Sequence, residues 1–227
     1  MARAQQNPPS GPFQRARRPE HKDHRRREIL AAAATLAAER GVGKVSLADI
    51  GKVVGLTKSN VLRYFETREA IYLHLSADAY RGWAERIGHA VHDLPVGPTQ
   101  PETIARLLTD TIAADPLMCD LLGTINTVLE HNVSLEAALV HKRAARAALD
   151  TISTSLARAH AGLSARAARE LALATAMIAA SAWPATHPST VLTEAYRADS
   201  DLAEFIIEFD SYLTRAIMVY LRGLLAE

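Results

Sequence analysis

Between Ser46 and Thr67 the chain starts three helices in quick succession, and that spacing leaves the fold few choices. Ser46 opens "SLAD", an S-x-x-D pattern whose hydroxyl and carboxylate satisfy the free amides of a helix start. Thr57 and Thr67 stand before two further helix-forming runs, and Gly55 supplies a tight turn between the second helix and the third. Upstream, Ile29, Leu30, Ala33, Leu36 and Ala37 follow helical spacing from Asp23 to Gly41, which suits the position just past a helix end. The spacing predicts one helix over 23–40, a second from Leu47 to about Val54, a short third after Thr57, and a fourth reaching about Leu94. The "GLT" joint between the second and third makes a helix-turn-helix candidate.

Beyond "PVGPTQP" (Pro95–Pro101) the pattern changes to long helices parted by short breakers. Helices are expected near 102–114, 116–130, 134–160, 164–182 and 202–225, with "PATHPST" (Pro184–Thr190) as the clearest loop and a short helix around Val191–Arg197. No strand-like alternation and no internal repeat occurs. An excess of Ala and Leu over four Phe and two Trp fits a helical protein. The expected fold is therefore all-α, a small N-terminal three-helix domain followed by a larger helical body. Residues 1–22, with five prolines or glycines and no apolar periodicity, are expected to form a disordered basic arm.

The polar run "GLTKSNVLRYF" (Gly55–Phe65) gives the small domain a chemical face. At 100° per residue, Val61 and Phe65 fall close together and can face a core. Ser59, Asn60 and Arg63 lie on the opposite side, with Tyr64 at one edge and Lys58 and Leu62 at the other. Arg can pair with guanine O6 and N7, Asn with adenine, and Leu with a thymine methyl, so this set suits a DNA major groove. Taken alone, the same stripe fits an ordinary solvated helix face equally well. Charge is unevenly divided along the chain: residues 1–75 hold 14 Lys/Arg against 7 Asp/Glu, a surplus of +7, whereas residues 76–227 hold 12 against 18, or −6. A basic head on an acidic body suggests a polyanion partner for the head, although the basic arm supplies part of that surplus.

Across 23–75 the sequence closely resembles the DNA-binding domain of the TetR family of bacterial transcriptional regulators. The matching features are "AERG" ending the first helix, "S-x-x-D-I" opening the second, a turn Gly, the pattern "K-x-x-V-x-x-Y-F", and "T-R-E-A" opening the fourth. The resemblance implies that Ser46, Thr57 and Tyr64 contact phosphate and that Arg68 stands where the family usually has a phosphate-binding Lys. Lys58, Ser59, Asn60, Leu62 and Arg63 lie where base-reading residues lie. Ser59, Asn60 and Leu62 depart from the commonest "KGTLYHYF", which affects operator preference. The domains implied are 23–70 for DNA binding and 71–227 for effector binding and dimerisation.

In the body, Glu204, Glu208, Ser211, Arg215 and Arg222 form one narrow polar stripe in an otherwise apolar C-terminal helix, which is expected to be buried on two fronts. The second front should be another subunit, with the Ala-rich 164–182 helix beside it. The resemblance likewise implies a homodimer through 164–182 and 202–225, set on a pseudo-palindromic double-stranded DNA operator. It also implies a small-molecule effector cavity, for which Trp83, Met118, Leu122, Asn126, Met177 and Trp183 supply the expected mixture of aromatic, flexible and isolated polar groups.

The function expected is thus a ligand-responsive regulator, a repressor released by a small apolar effector; the alternative is a constitutive or architectural DNA-binding protein with a filled body. No catalytic motif or nucleotide loop is recognisable, so no enzyme is expected. His89 and His92 lack an evident third ligand and read as a surface pair, so neither metal nor cofactor is expected. Cys119 is alone and reads as a small buried hydrophobe. The longest apolar run, Leu171–Trp183, is too short to span a bilayer and no secretory signal opens the chain, so a cytoplasmic location is expected.

Overall fold

The computed structural model describes residues 13–96 and 99–226, with the side chains of 13–19 and of Asn126 outside that set. Among the described residues every regular element is helical. The head comprises α1 (Phe13–Arg40), a 3-10 turn (Val42–Lys44), α2 (Leu47–Val53), α3 (Lys58–Val61) and the start of α4 (Arg68–His92). The body adds α5 (Pro101–Ala113), α6 (Pro116–Thr124) with a π turn (Ile125–Leu129), α7 (Leu135–Ala159), α8 (Ala165–Thr186), α9 (Thr190–Ala198), a 3-10 turn (Ser200–Phe205) and α10 (Phe209–Leu225). No helix among the described residues is long and apolar enough to cross a membrane.

The head is held by α1, whose row Ile29, Ala32, Ala33, Leu36 and Ala37 is buried against α2 and α4. In the body α4 runs along α7, while α8 packs against α6, α7 and α10, and α10 also lies on α5. Trp83, Tyr72, Ile71 and Ile87 of α4 are wholly buried, so α4 belongs to the cores of head and body at once.

Three boundaries differ from expectation. α1 begins at Phe13, so residues 13–22 of the expected disordered arm are helical; residues 1–12 of it lie outside the described set. Once the packed part of α1 has nucleated, each added residue is only propagation, and Gln, Arg and Ala propagate well. Pro19 removes one amide from the ladder without ending it. α8 continues through Pro184 to Thr186 instead of stopping at 182, which places the helix where a loop was expected. α10 begins only at Phe209, because Asp199 accepts from the Asp201 amide at 2.9 Å and diverts the chain into a 3-10 turn. Glu204 and Glu208 therefore leave the expected polar stripe, and Ser211, Arg215 and Arg222 remain on the helix.

Candidate nucleic-acid interface and ligand cavity

Two glycines shape the helix-turn-helix. At Gly55 φ is +67°, the left-handed region where a side chain is strained. At Gly51 a Cβ would stand 2.5 Å from the Leu56 carbonyl oxygen, so the turn closes onto α2 at a distance only glycine allows. Thr57 then caps α3 by accepting from the Asn60 amide at 3.3 Å. α3 proper is one turn, and its axis is prolonged by bonds from Leu62 N–H to Lys58 O at 3.1 Å and from Phe65 N–H to Val61 O at 3.2 Å. Val61 and Phe65 are buried at 0% and 3% exposure and fix its inner face. Lys58, Ser59, Asn60, Leu62 and Arg63 are exposed together on the outer face, with Tyr64 half-buried at the edge.

The residues expected on phosphate divide into two kinds. The Thr57 hydroxyl only accepts within the cap, so its proton is free for an outside acceptor. Ser46 gives its proton to Asp49 at 2.5 Å and accepts from the Asp49 amide at 3.2 Å, a closed capping box. The Ser46 hydroxyl, and the Ser46 amide donating to the same carboxylate oxygen at 2.9 Å, hold the Asp49 carboxyl below its ordinary value. Arg68 is turned inward. Its Nε donates to Val45 O at 2.5 Å, its Nη2 to Val42 O, and its guanidinium lies 4.8 Å over the Tyr72 ring. Arg68, expected on phosphate, here braces the loop before α2, holding the carbonyls of two residues buried in the core.

Sequence reasoning gave Arg26 no structural role, yet from α1 it donates to the Tyr64 carbonyl, meets His74 Nε2 at 3.1 Å and stacks 4.2 Å over Phe65, clamping the end of the recognition turn to α4. Burial, then the Arg26 charge, lowers the pKa of His74. Further out along α1, His21, Lys22, His24, Arg25 and Glu28 face Leu56, Asn60, Arg63 and Tyr64 across a groove of ≈ 780 Å³.

Among the described residues, two side-chain hydrogen bonds tie head to body. Asp120 of α6 accepts from the Val42 amide at 2.6 Å, and Glu66, directly after the recognition turn, accepts from the Ser134 amide at 2.8 Å at the start of α7. They join residues 78 and 68 positions apart, which no local pattern could announce.

In the body a cavity of ≈ 370 Å³ opens between α4, α6, α7 and α8. Its apolar wall includes Tyr80, Leu122, Ile125, Leu149, Leu173 and Met177, and Lys142, Arg146 and Arg169 stand around it. His141 supplies a buried polar end, with Nδ1 2.8 Å from Ser76 Oγ and Nε2 3.5 Å from Glu130. Burial, reinforced by Lys142, lowers the His141 pKa. Of the five expected effector residues whose side chains are described, Leu122 and Met177 line this cavity. Trp83 and Met118 are core residues at 0% and 1% exposure, with Trp83 Nε1 donating to Thr111 at 3.3 Å. Trp183 lines a separate cleft near Phe209, and the Asn126 side chain lies outside the described set.

A compact helix-turn-helix with an outward polar face, joined through one long helix to a larger helical body, is the architecture of a helix-turn-helix DNA-binding protein. Residues 29–75 match the family model described as bacterial regulatory proteins, tetR family, and residues 77–227 match the tetracyclin repressor-like, C-terminal domain. The chain belongs to the TetR family. Similar solved structures include FadR of Thermus thermophilus with lauroyl-CoA, 19% identical, TM-score 0.54, covering 88% of this chain and 93% of that one. FadR of Bacillus subtilis with stearoyl-CoA is 16% identical with TM-score 0.52, covering 86% and 96%. The regulator PfmR, also of Thermus thermophilus, is 17% identical with TM-score 0.53, covering 86% and 97%. At these identities the likeness is one of fold. Comparison with curated proteins gives no match.

Proposed function

We propose that the chain is a ligand-responsive repressor that binds a pseudo-palindromic DNA operator as a homodimer and releases it when a small, largely apolar effector enters the body. The observation that carries this reading is the recognition face: Asn60 and Arg63 exposed directly opposite the buried anchors Val61 and Phe65. Lys58, Ser59 and Leu62 complete the base-facing set, while Thr57 and Tyr64 supply hydroxyls for phosphate. Dimerisation is supported by exposed apolar residues on the outer side of the last long helix, Tyr212 and Val219 on α10. A two-fold pairing there would place two copies of α3 on half-sites about 34–36 Å apart.

The effector site proposed is the α4/α6/α7/α8 cavity. Its apolar wall with cations around it suits an apolar chain bearing an anionic group, and two of the fold's solved relatives carry acyl-CoA molecules. The cavity is bounded by α6 and α7, the two helices that hold the head through Asp120 and Ser134. A ligand that shifts either helix has a direct route to the recognition unit. It acts only if it binds the released form better than the DNA-bound form.

The test is fluorescence anisotropy on duplexes from upstream of the chain's own gene, with and without lauroyl- and stearoyl-CoA. Operator binding is expected in the nanomolar range and weaker with ligand, and ligand affinity should fall reciprocally when operator is saturating. Arg63→Ala should cost about 1–3 kcal/mol on operator and relax one base position. Equal losses on operator and random DNA would remove Arg63 from base reading.

A further inference from the structure

The family match in the head begins at residue 29, yet α1 begins sixteen residues earlier. One helical row runs along α1 at spacings of three and four: positions 22, 25, 29, 33 and 36. Where this row lies on the head it is apolar and buried, as Ile29, Ala33 and Leu36. Where it projects past the head it turns basic, as Lys22 and Arg25. The extension's first two acids, Glu20 and Asp23, lie on the opposite face by the same periodicity. A row that is apolar over protein and cationic beyond it has been fitted to two different neighbours, the second of them an anion.

The geometry points to duplex DNA as that neighbour. Lys22 and Arg25 line the ≈ 780 Å³ groove whose other wall carries Asn60 and Arg63, so an object touching the recognition face must pass beneath the extension. No carboxylate among the described residues pairs with Lys22, and Arg25 is held only by Glu28 at 2.8 Å, a bond a phosphate can replace. We therefore propose that the groove-facing side of the N-terminal extension of α1, with Lys22 and Arg25 as its contacts, is a second DNA-binding element, gripping phosphates beside the major groove that α3 occupies. This inference rests on the DNA-binding reading of α3.

The experiment uses the full chain and an anisotropy salt series, on the operator recovered from its own upstream region and on a random duplex. Three proteins are compared: wild type, the Lys22→Ala/Arg25→Ala pair, and Arg27→Ala, an exposed cation of α1 that does not line the groove. Lys22 and Arg27 are exposed and the Arg25 side chain is 42% exposed, so none of the three contributes to the core. With about 0.9 of logarithmic salt slope per phosphate contact, the double variant should lower the slope of a dimer by about 3 to 4. It should weaken operator and random DNA by a similar factor of about 10 or more near 100 mM salt, while Arg27→Ala stays within about twofold. If the groove pair and Arg27→Ala behave alike, whether both unchanged or both weakened equally, the extension is a solvated charged helix and the proposal fails, with the α3 reading intact. If wild type shows no preference for any upstream duplex over random DNA, the α3 reading fails and takes this proposal with it.

Discussion

Arg68 separates a brace from a phosphate contact, and replacing it with Lys asks which it is. Its side chain is 18% exposed and its fork supplies two donors at once, Nε to Val45 O at 2.5 Å and Nη2 to Val42 O. Val42 and Val45 are 1% and 2% exposed, so water cannot replace either bond without opening the core. A hydrogen bond from a charged donor contributes about 1.5–3 kcal/mol, and bonds from one group are not additive. With the lost stacking on Tyr72, Arg68→Ala should cost about 3 kcal/mol, a large part of the roughly 5–15 kcal/mol typical of a folded domain. Lys has one compact ammonium and no fork, so Arg68→Lys should recover at most about half of that. The assay is urea unfolding, read as a shift in midpoint at constant slope, beside the DNA salt series. A phosphate-binding Arg68 would behave oppositely: Lys would preserve both stability and affinity, and Ala would lower the dimer's salt slope by about 2. An Arg68→Ala midpoint equivalent to less than about 0.5 kcal/mol of destabilisation would refute the bracing role.

Gly51→Ala should destabilise by about 1–3 kcal/mol and abolish operator binding before overall helicity is lost. The new methyl meets the Leu56 carbonyl at 2.5 Å while the Leu56 amide is bonded to Gly51 O at 2.8 Å; a melting temperature equal to wild type would show that the turn yields. Cys119 is wholly buried, its Sγ 3.4 Å from Ile112 O and its pKa pushed up to about 12 by burial. Iodoacetamide should leave it intact in native protein at mildly alkaline pH and label it after unfolding, as mass spectrometry would show. Burial lowers His74 and His141 from an ordinary 6.5. As pH falls through that value the unfolded chain binds these protons and the folded chain does not, so stability present above it is progressively lost below. His141→Asn should flatten the decline of the urea midpoint between about pH 7.5 and 5.5, and an unchanged decline would exclude that ring as a source.

What the sequence determined by itself was whatever is built from neighbours in the chain. The caps at Ser46, Thr57 and Thr67 each close a bond to an amide three residues on, so residue type and spacing are the whole interaction. The sides of α3 follow from helical periodicity, which is why Val61 and Phe65 could be set against Asn60 and Arg63 without coordinates. Boundaries were less legible at α1, α8 and α10, where propagation from a packed helix or a local Asx bond outweighed the breaker residues. Tertiary structure alone decided how the long polar side chains are used. Arg68 and Arg26 look like surface cations in sequence, but each finds carbonyls across 23 to 38 residues and becomes a strut. Asp120 and Glu66 gained their partners only when α6 and α7 folded back against the head. Leu122 and Met177 share a cavity with Tyr80 and His141 while Trp83 and Met118 do not, because a cavity is the gap four packed helices leave, and packing is a property of no single segment.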